Sequence, residues 1–238
     1  FMLDMTGKFG TDEPIPIDWR TPWSQSMYWA MYGTQKGREA KNVKEFDLLN
    51  TDRIMLFSLA TLSKAGRYVF RIDPELPMDS FLNTLPDLRY IDAMHRKYLE
   101  LGKKHAEEGE NVGMTAGETL RSGHVNNLHA AIVALYFAGQ EQKAQYYLEY
   151  LAANYKDMVT QQIQEQYLRS VDEFVQSQLK EMAGSFNDAS LLIYSLLTNG
   201  YLALSSGSAD EFASSVQKAK LVYDFYQKDK VDDPQGRR

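Results

Sequence analysis

The sequence predicts an all-α protein in which antiparallel helical hairpins stack as a short solenoid behind an extended N-terminal lead-in. Two observations support this prediction. Apolar residues recur at spacings of three and four along most of the chain after residue 84, which is the period of amphipathic helices. Glycines separate neighbouring helical segments by short turns, and short turns favour antiparallel neighbours.

Composition narrows the function classes. Of the 238 residues, 44% are hydrophobic and 24% are charged, as in an ordinary globular protein with a buried core. The net charge is -6 and both signs are mixed along the chain, so no basic face for nucleic acid is predicted. Cysteine is absent, which excludes disulfides, iron–sulfur clusters, thiolate zinc sites and cysteine nucleophiles.

No membrane anchor is predicted in this chain. The longest apolar run, residues 54–62, is about half the length of a membrane span, and we interpret it as a buried helix. The chain opens on Phe1 rather than methionine and nothing there resembles a signal peptide, so we expect a processed or excised fragment. The compartment, cytoplasm or bacterial cell envelope, stays open.

The first half combines helices with extended segments. Residues 1–20 contain glycines and prolines without a helical period and form the lead-in. Thr21 and Pro22 are a favourable N-cap and first residue for a helix that we expect to end at Gly33. A second helix is expected over residues 51–64.

The next segment leaves two interpretations open, because residues 68–72 alternate like a strand but have no obvious partner. Either a short strand or an extended connector is expected there.

Thr84 and Asp87 resemble a capping box that begins a helix extending to Leu101. The polar loop over residues 102–115 is the expected boundary. It divides an N-terminal helical lobe with proline-containing extended segments, residues 1–110, from a helical-hairpin region, residues 111–238. The two could also form one continuous domain.

The second half is predicted to be almost entirely helical. Helices are expected over residues 116–138, 141–154 and 188–204, with a single longer helix from Ile163 to Met182. A capping box at Ser208 and Glu211 begins the last helix. The charged residues 229–238 are expected to fray.

The segment NLHAAIVALYFAGQEQKAQYYLEYLAAN, residues 127–154, resembles a tetratricopeptide repeat. Gly139 and Ala144 match the glycine at the turn and the small residue five positions later. Leu135 replaces the family's aromatic residue in the first helix, and no proline closes the second. Residues 194–226 have a similar spacing of apolar residues and a glycine, Gly207, at the turn. The resemblance covers about residues 116–227. It implies stacked hairpins with a concave surface for a peptide or a partner helix.

No catalytic constellation is found, so we expect neither an enzyme nor a cofactor. His124 and His129 are five residues apart and His95 and His105 are ten apart, whereas a zinc pair on one helix face needs three or four. Surface or helix-face histidines are expected instead of a metal site. The glycine-rich loop before residue 124 lacks the preceding strand and the lysine of a phosphate-binding loop. Thr115 or Thr119 as a helix cap accounts for that loop.

All three tryptophans lie close together near the N-terminus. Trp23 and Trp29 are six residues apart and therefore on different faces of a helix, which favours packing of the core. The alternative is an aromatic patch formed by Trp19, Trp23 and Tyr28 that binds a carbohydrate or another small molecule.

The favoured interpretation is a non-enzymatic scaffold or adaptor that binds another protein or a peptide. Its partner-binding residues are predicted to be Tyr146, Tyr147 and Tyr150, because tyrosine offers a large contact area at low entropic cost. Packing against the next hairpin is the alternative for each of them. A third possibility is a subunit of a larger assembly, since the apolar start of the chain would need cover.

Overall fold

A computed structural model of the chain describes residues 2–3, 15–40, 45–71, 75, 81–106, 115–182, 186–205 and 207–228. The chain divides into two compact units, Phe1–Ala131 and Ile132–Arg238. The described residues are all-α apart from two small two-stranded sheets, which confirms the predicted fold class. The predicted boundary at residues 110 and 111 stays a prediction. Most of the lead-in and the charged tail lie outside the described residues.

The first unit contains both sheets and the first helices. Its elements in chain order are β1 (Met2–Leu3), β2 (Ile15–Pro16), α1 (Pro22–Glu39), α2 (Glu45–Ala65), β3 (Arg67–Arg71), β4 (Phe81–Leu85), α3 (Tyr90–Lys104) and the beginning of α4 (Ala116–Phe137). Strands β1 and β2 pair antiparallel. Helix α2 packs against both α1 and α3. The core of this unit therefore lies among α1, α2 and α3.

Helix α1 begins where the sequence predicts but continues further. The Thr21 hydroxyl accepts a hydrogen bond from the backbone N–H of Ser24 at 3.1 Å, and Pro22 is the first helical residue. The expected end at Gly33 is wrong, because α1 extends to Glu39. A glycine inside a helix costs only about 1 kcal/mol. The buried face continues on to Thr34, so packing outweighs that cost.

The alternating segment after α2 is a strand, and its partner lies beyond the proline-containing stretch. Strands β3 and β4 pair antiparallel with Arg67 opposite Leu85 and Arg71 opposite Phe81. The predicted capping box at Thr84 is wrong, because Thr84 belongs to β4. Asp87 instead accepts hydrogen bonds from the Arg89 side chain at 2.8 Å and 2.6 Å, and α3 begins at Tyr90.

A buried carboxylate connects α2 to α1 and to the end of α3. Asp52 is 1% exposed and accepts hydrogen bonds from Lys104 Nζ at 2.5 Å and from His105 Nε2 at 3.0 Å. Thr34 Oγ1 of α1 lies 3.5 Å from the second oxygen. Burial alone would raise the pKa of Asp52, but the hydrogen bonds from Lys104 and His105 outweigh it and lower the pKa. The carboxylate therefore stays ionised.

We predict that Asp52→Asn destabilises the first unit by about 3 kcal/mol, because removing one member of a buried charged group leaves its partners unsatisfied. Urea unfolding followed by tryptophan fluorescence measures this unit specifically, since all three tryptophans lie in it. Glu100→Gln is the matched control. It breaks an exposed pair with Lys97 and should cost less than about 1 kcal/mol. Equal losses in both variants would contradict the prediction.

The second unit is helical throughout its described residues. After the end of α4 it contains α5 (Glu141–Asn154), a single 3-10 turn (Lys156–Met158), α6 (Gln161–Tyr167), α7 (Val171–Met182), α8 (Phe186–Ser205) and α9 (Ala209–Tyr226). The most extensive helix packing in this unit joins α8 to α9. Gly139, after α4, and Gly207, after α8, have φ of 75° and 90°. Both turns therefore use the left-handed conformation that glycine favours.

The expected single helix from Ile163 to Met182 is wrong, because α6 ends at Tyr167 and a separate helix, α7, begins at Val171. Ser170 Oγ accepts from the N–H of Glu173 at 3.3 Å, and the Glu173 carboxylate accepts from the N–H of Ser170 at 3.2 Å. This reciprocal capping box begins a new helix. The box expected at Ser208 is also wrong, since that side chain makes no capping hydrogen bond to α9.

Gly200 lies where α8 and α9 approach most closely. A Cβ added there would lie 2.9 Å from the Cβ of Ser215, a distance that packed side chains do not tolerate. We predict that Gly200→Ala destabilises the second unit by about 1–3 kcal/mol through overpacking, although alanine favours helices. Ser195→Ala, on the exposed side of the same helix, is the control and should stabilise slightly. Thermal unfolding followed by circular dichroism compares the two, and a stabilised Gly200→Ala would contradict the close approach.

Candidate functional site

Four large aromatic side chains form one exposed surface on the first unit, which we call the aromatic surface. It consists of Trp19, Tyr28, Trp29 and Tyr32, which are between 38% and 63% exposed. Ring centroids lie 5.8 Å apart for Trp19 and Tyr28, 5.3 Å for Tyr28 and Trp29, and 6.0 Å for Trp29 and Tyr32. These three pairs meet edge to face, a favourable aromatic geometry, so the four rings are in continuous contact.

The geometry of α1 explains why these rings face solvent. Met27, Ala30 and Thr34 are the buried residues along the middle of this helix. At about 100° per residue, the three helical members of the aromatic surface lie on the opposite side. The fourth member, Trp19, lies in the turn before the helix, where its carbonyl accepts a hydrogen bond from Gln25 Nε2 at 3.1 Å. The helix and its entry turn together position the surface.

The residues predicted for an N-terminal aromatic site separate into two places. Trp19 and Tyr28 belong to the aromatic surface. Trp23 does not: it is partly buried, packs against the core and meets Phe57 edge to face at 5.5 Å. The expectation that this segment mainly packs the core therefore holds for Trp23 and is wrong for the aromatic surface. Trp29 and Tyr32 were missed, although their spacing of three and their proximity to Tyr28 would have indicated one shared face.

A second exposed apolar surface lies on α8 in the second unit. It consists of Leu191, Tyr194, Tyr201 and Leu204, which are between 43% and 69% exposed, and we call it the α8 surface. Its members are spaced by three and seven residues, which places them along one side of the helix. Gly200 packs against α9, and the Tyr201 ring also contacts Phe212 of α9 at 5.2 Å. Helix α9 therefore touches the α8 surface at Tyr201, while all four side chains stay largely exposed.

The predicted partner-binding tyrosines on α5 differ in burial. Tyr147 is 1% exposed and lies in the interior, so the packing alternative applies to it. Tyr146 and Tyr150 are half-buried, and their rings contact Tyr147 at 5.2 Å and Tyr155 at 6.0 Å. Partner binding by Tyr146 and Tyr150 stays a prediction, and each has only part of its ring available for contact.

Two histidines form a buried pair in the first unit, where His95 of α3 faces His124 of α4, which agrees with the helix-face alternative of the prediction. His95 Nδ1 lies 3.0 Å from His124 Nε2, and the Tyr98 ring stacks on His124 at 4.8 Å. Burial lowers the pKa of His95 to about 4 and that of His124 to about 3. Both rings are therefore neutral at pH 7. Among the described residues, no group of three or more His, Cys, Asp or Glu side chains could hold a metal ion.

The lowered pKa values of His95 and His124 predict that the protein loses stability in acid. Because both folded-state pKa values lie below the ordinary 6.5, the neutral pair favours folding above pH 6.5. That contribution is lost as the pH falls from 6.5 towards 4, by about 3 kcal/mol for His95 alone at 1.36 kcal/mol per pKa unit. We expect the unfolding free energy measured by urea and tryptophan fluorescence to fall over this range.

His124→Phe removes one titrating group and keeps a ring beside Tyr98. This variant should be less stable at pH 7.5, because it removes the hydrogen bond between the two histidines, but should lose less stability on acidification. Parallel pH dependences of the two proteins would contradict the assignment.

Comparison with known proteins finds no match: no protein-family model, no curated protein and no solved structure matches this chain. None of the helices in the described part of the chain is long and apolar enough to cross a membrane. Function is therefore inferred from the residues and contacts of this chain alone.

Proposed function

We propose that the protein is a non-enzymatic scaffold or adaptor that docks other proteins through the aromatic surface of its first unit and the α8 surface of its second. The observation that supports this most is the clustering of large apolar side chains on the uncovered side of one helix in each unit. Single exposed apolar residues are ordinary, but contiguous patches mark interaction sites. Two such surfaces on one chain suit a protein that holds two partners together.

The composition of the aromatic surface favours a protein partner. Tryptophan and tyrosine are enriched among the residues that dominate binding energy at protein interfaces. Fully burying one large apolar side chain stabilises a complex by about 1.5–3 kcal/mol. The surface is the outward face of a helix, whereas small-molecule sites are usually concave. A macromolecular partner could cover all four rings at once.

For the α8 surface we propose a partner helix. Tyr194 and Tyr201 are seven residues apart, and Leu191 and Leu204 lie three residues outside them. Apolar residues at this spacing form a seam along which a second helix packs. The partner helix would carry apolar residues at the same intervals, so that each ring of the α8 surface has an apolar neighbour.

A tetratricopeptide-like solenoid in the second half remains part of this proposal. The packed α8–α9 pair and the left-handed glycines after α4 and α8 support it. In such a solenoid, the exposed parts of Tyr146 and Tyr150 would face the partner-binding groove.

Site-specific photocrosslinking tests the proposal in cells of the source organism. Tyr32 and Tyr194 are each replaced by p-benzoylphenylalanine, which keeps an aromatic ring at an exposed position. The exposed polar residues Arg38, on the other side of α1, and Gln217 are replaced in the same way as controls. We expect discrete adducts with another protein from the Tyr32 and Tyr194 positions that the control positions do not give.

Two outcomes would contradict the adaptor proposal. Equal adducts from test and control positions would show that neither surface is specific. Adducts of the chain with itself alone would favour a subunit of a larger homomeric assembly.

Affinity for the crosslinked partner provides a quantitative prediction. We expect Trp29→Ala to weaken binding at least tenfold, which corresponds to about 1.4 kcal/mol. Arg38→Ala on the same helix should leave affinity unchanged, because it is exposed and nine residues from Trp29, which places it on the other side of the helix. The measurement is fluorescence anisotropy of the labelled partner. Equal affinities for both variants would remove the aromatic surface from the interface.

Carbohydrate binding is the second candidate function, and one observation favours it. The Tyr28 and Tyr32 rings are 6.4 Å apart and inclined by only 12°, so they are nearly parallel. Titration with simple sugars, followed by the fluorescence of the neighbouring Trp29, tests this candidate. A saturable change that Tyr28→Ala abolishes would support it over a protein partner, and an unchanged spectrum would contradict it.

A further inference from the structure

Three arginines from separate segments of the first unit converge on one cavity. Arg20 lies before α1, Arg67 lies on β3 and Arg89 lies before α3, and all three line a cavity of about 250 Å³. Asp18, Asp87, Gly66, Tyr68 and Tyr90 complete its lining. We call it the arginine cavity. It is separate from the aromatic surface and from the α8 surface.

Two of the arginines are held in the same way by a repeated local motif. In each turn an aspartate accepts the Nε and Nη2 hydrogen bonds of the arginine two residues later, at 2.9 Å and 2.7 Å for Asp18 and Arg20. The corresponding distances for Asp87 and Arg89 are 2.8 Å and 2.6 Å. Each aspartate also accepts the backbone N–H of its arginine. The guanidinium groups are therefore fixed before any ligand arrives.

Among the described residues, Arg67 is the arginine of this cavity that no carboxylate pairs with. Its Nε donates to the carbonyl of Pro86 at 3.0 Å, which is a neutral acceptor. That bond uses one edge of the guanidinium and leaves the terminal nitrogens for a further acceptor. Three guanidinium groups and two carboxylates give the cavity a net charge of one positive. The N-terminal ends of α1 and α3 follow the two turns directly and add positive potential.

The charged groups of the two turns are close enough to act on the same residue, Tyr90. Burial, then the charges of Asp87 and Asp18, raise the pKa of Tyr90 to about 12 despite the opposing charge of Arg89. Tyr90 is fully buried and stays protonated. The cavity thus has Tyr68 and the buried Tyr90 in its lining and charged groups from both turns.

We propose that the arginine cavity binds a monocarboxylate, with Arg67 as its principal anchor and Tyr68 beside the rest of the ligand. An arginine fork matches the planar geometry of a carboxylate through two parallel hydrogen bonds. A single negative charge balances the net charge of the cavity. A doubly charged phosphate would leave one negative charge unbalanced beside the carboxylates of Asp18 and Asp87.

A purely structural role explains the two aspartate–arginine pairs but not their convergence with Arg67. Each pair links residues two positions apart and could form in either turn alone. Stabilising those turns does not need a third arginine on the same cavity.

Ligand-observed NMR with the full chain tests the proposal, using benzoate as the carboxylate probe and benzamide as its neutral counterpart. We expect saturable binding of benzoate and none of benzamide. Arg67→Gln should weaken benzoate binding at least tenfold. Arg67→Lys, which keeps the charge without the fork, should weaken it less. The matched control Arg38→Gln removes an exposed arginine on α1 and should leave binding unchanged.

Two further measurements show which kind of carboxylate the cavity accepts and whether phosphate competes with it. A short peptide ending in phenylalanine, compared with its C-terminal amide, shows whether a chain end is accepted as well as a free acid. The proposal is overturned if benzamide binds as well as benzoate, if Arg67→Gln binds like the unaltered protein, or if inorganic phosphate displaces benzoate at lower concentration than benzoate itself binds. A urea midpoint for each variant confirms that lost binding is not lost folding.

Discussion

The first unit depends on the buried carboxylate of Asp52. An ionised carboxylate in an apolar interior is tolerated only when charged or hydrogen-bonding partners surround it. Lys104 and His105 at the end of α3 supply those partners, with Thr34 of α1 on the other side. The carboxylate thus contacts α1 at Thr34 and also contacts the end of α3. These contacts fix which side of α1 faces the core. The aromatic surface faces solvent as a consequence.

The two units solve different packing problems and leave similar surfaces uncovered. In the first, polar contacts around Asp52 and the neutral histidine pair define a core from which four aromatic rings are left out. In the second, the close approach of α8 and α9 at Gly200 uses one side of an all-round apolar helix. In the proposed function, the inward sides of α1 and α8 serve stability and their exposed sides would serve binding. Substitutions on the outward sides should change binding with little effect on folding.

The helices were largely predictable, and most of their ends were not. Helical periodicity and glycine placement predicted the all-α class, and the Thr21 cap predicted where α1 begins. Gly33 failed as a stop because packing of the helix on both sides of it outweighs its small cost. The Ser170–Glu173 capping box is a recognisable sequence pattern, but the apolar residues on both sides of it continue at helical spacing and predicted a single helix instead. Of the three residues predicted for an N-terminal site, Trp19 and Tyr28 lie on the aromatic surface and Trp23 packs against the core, because spacing alone does not tell which face of a helix is covered.

The sequence by itself determined the helical class, the absence of cysteine chemistry and the concentration of aromatic residues near the N-terminus. These properties depend on composition and on local periodicity. Only the tertiary structure decided that β3 pairs with β4, that His95 meets His124, and that three distant arginines share one cavity. Each of these contacts joins residues far apart in the chain. Such contacts depend on how whole helices and turns pack, which no local pattern specifies.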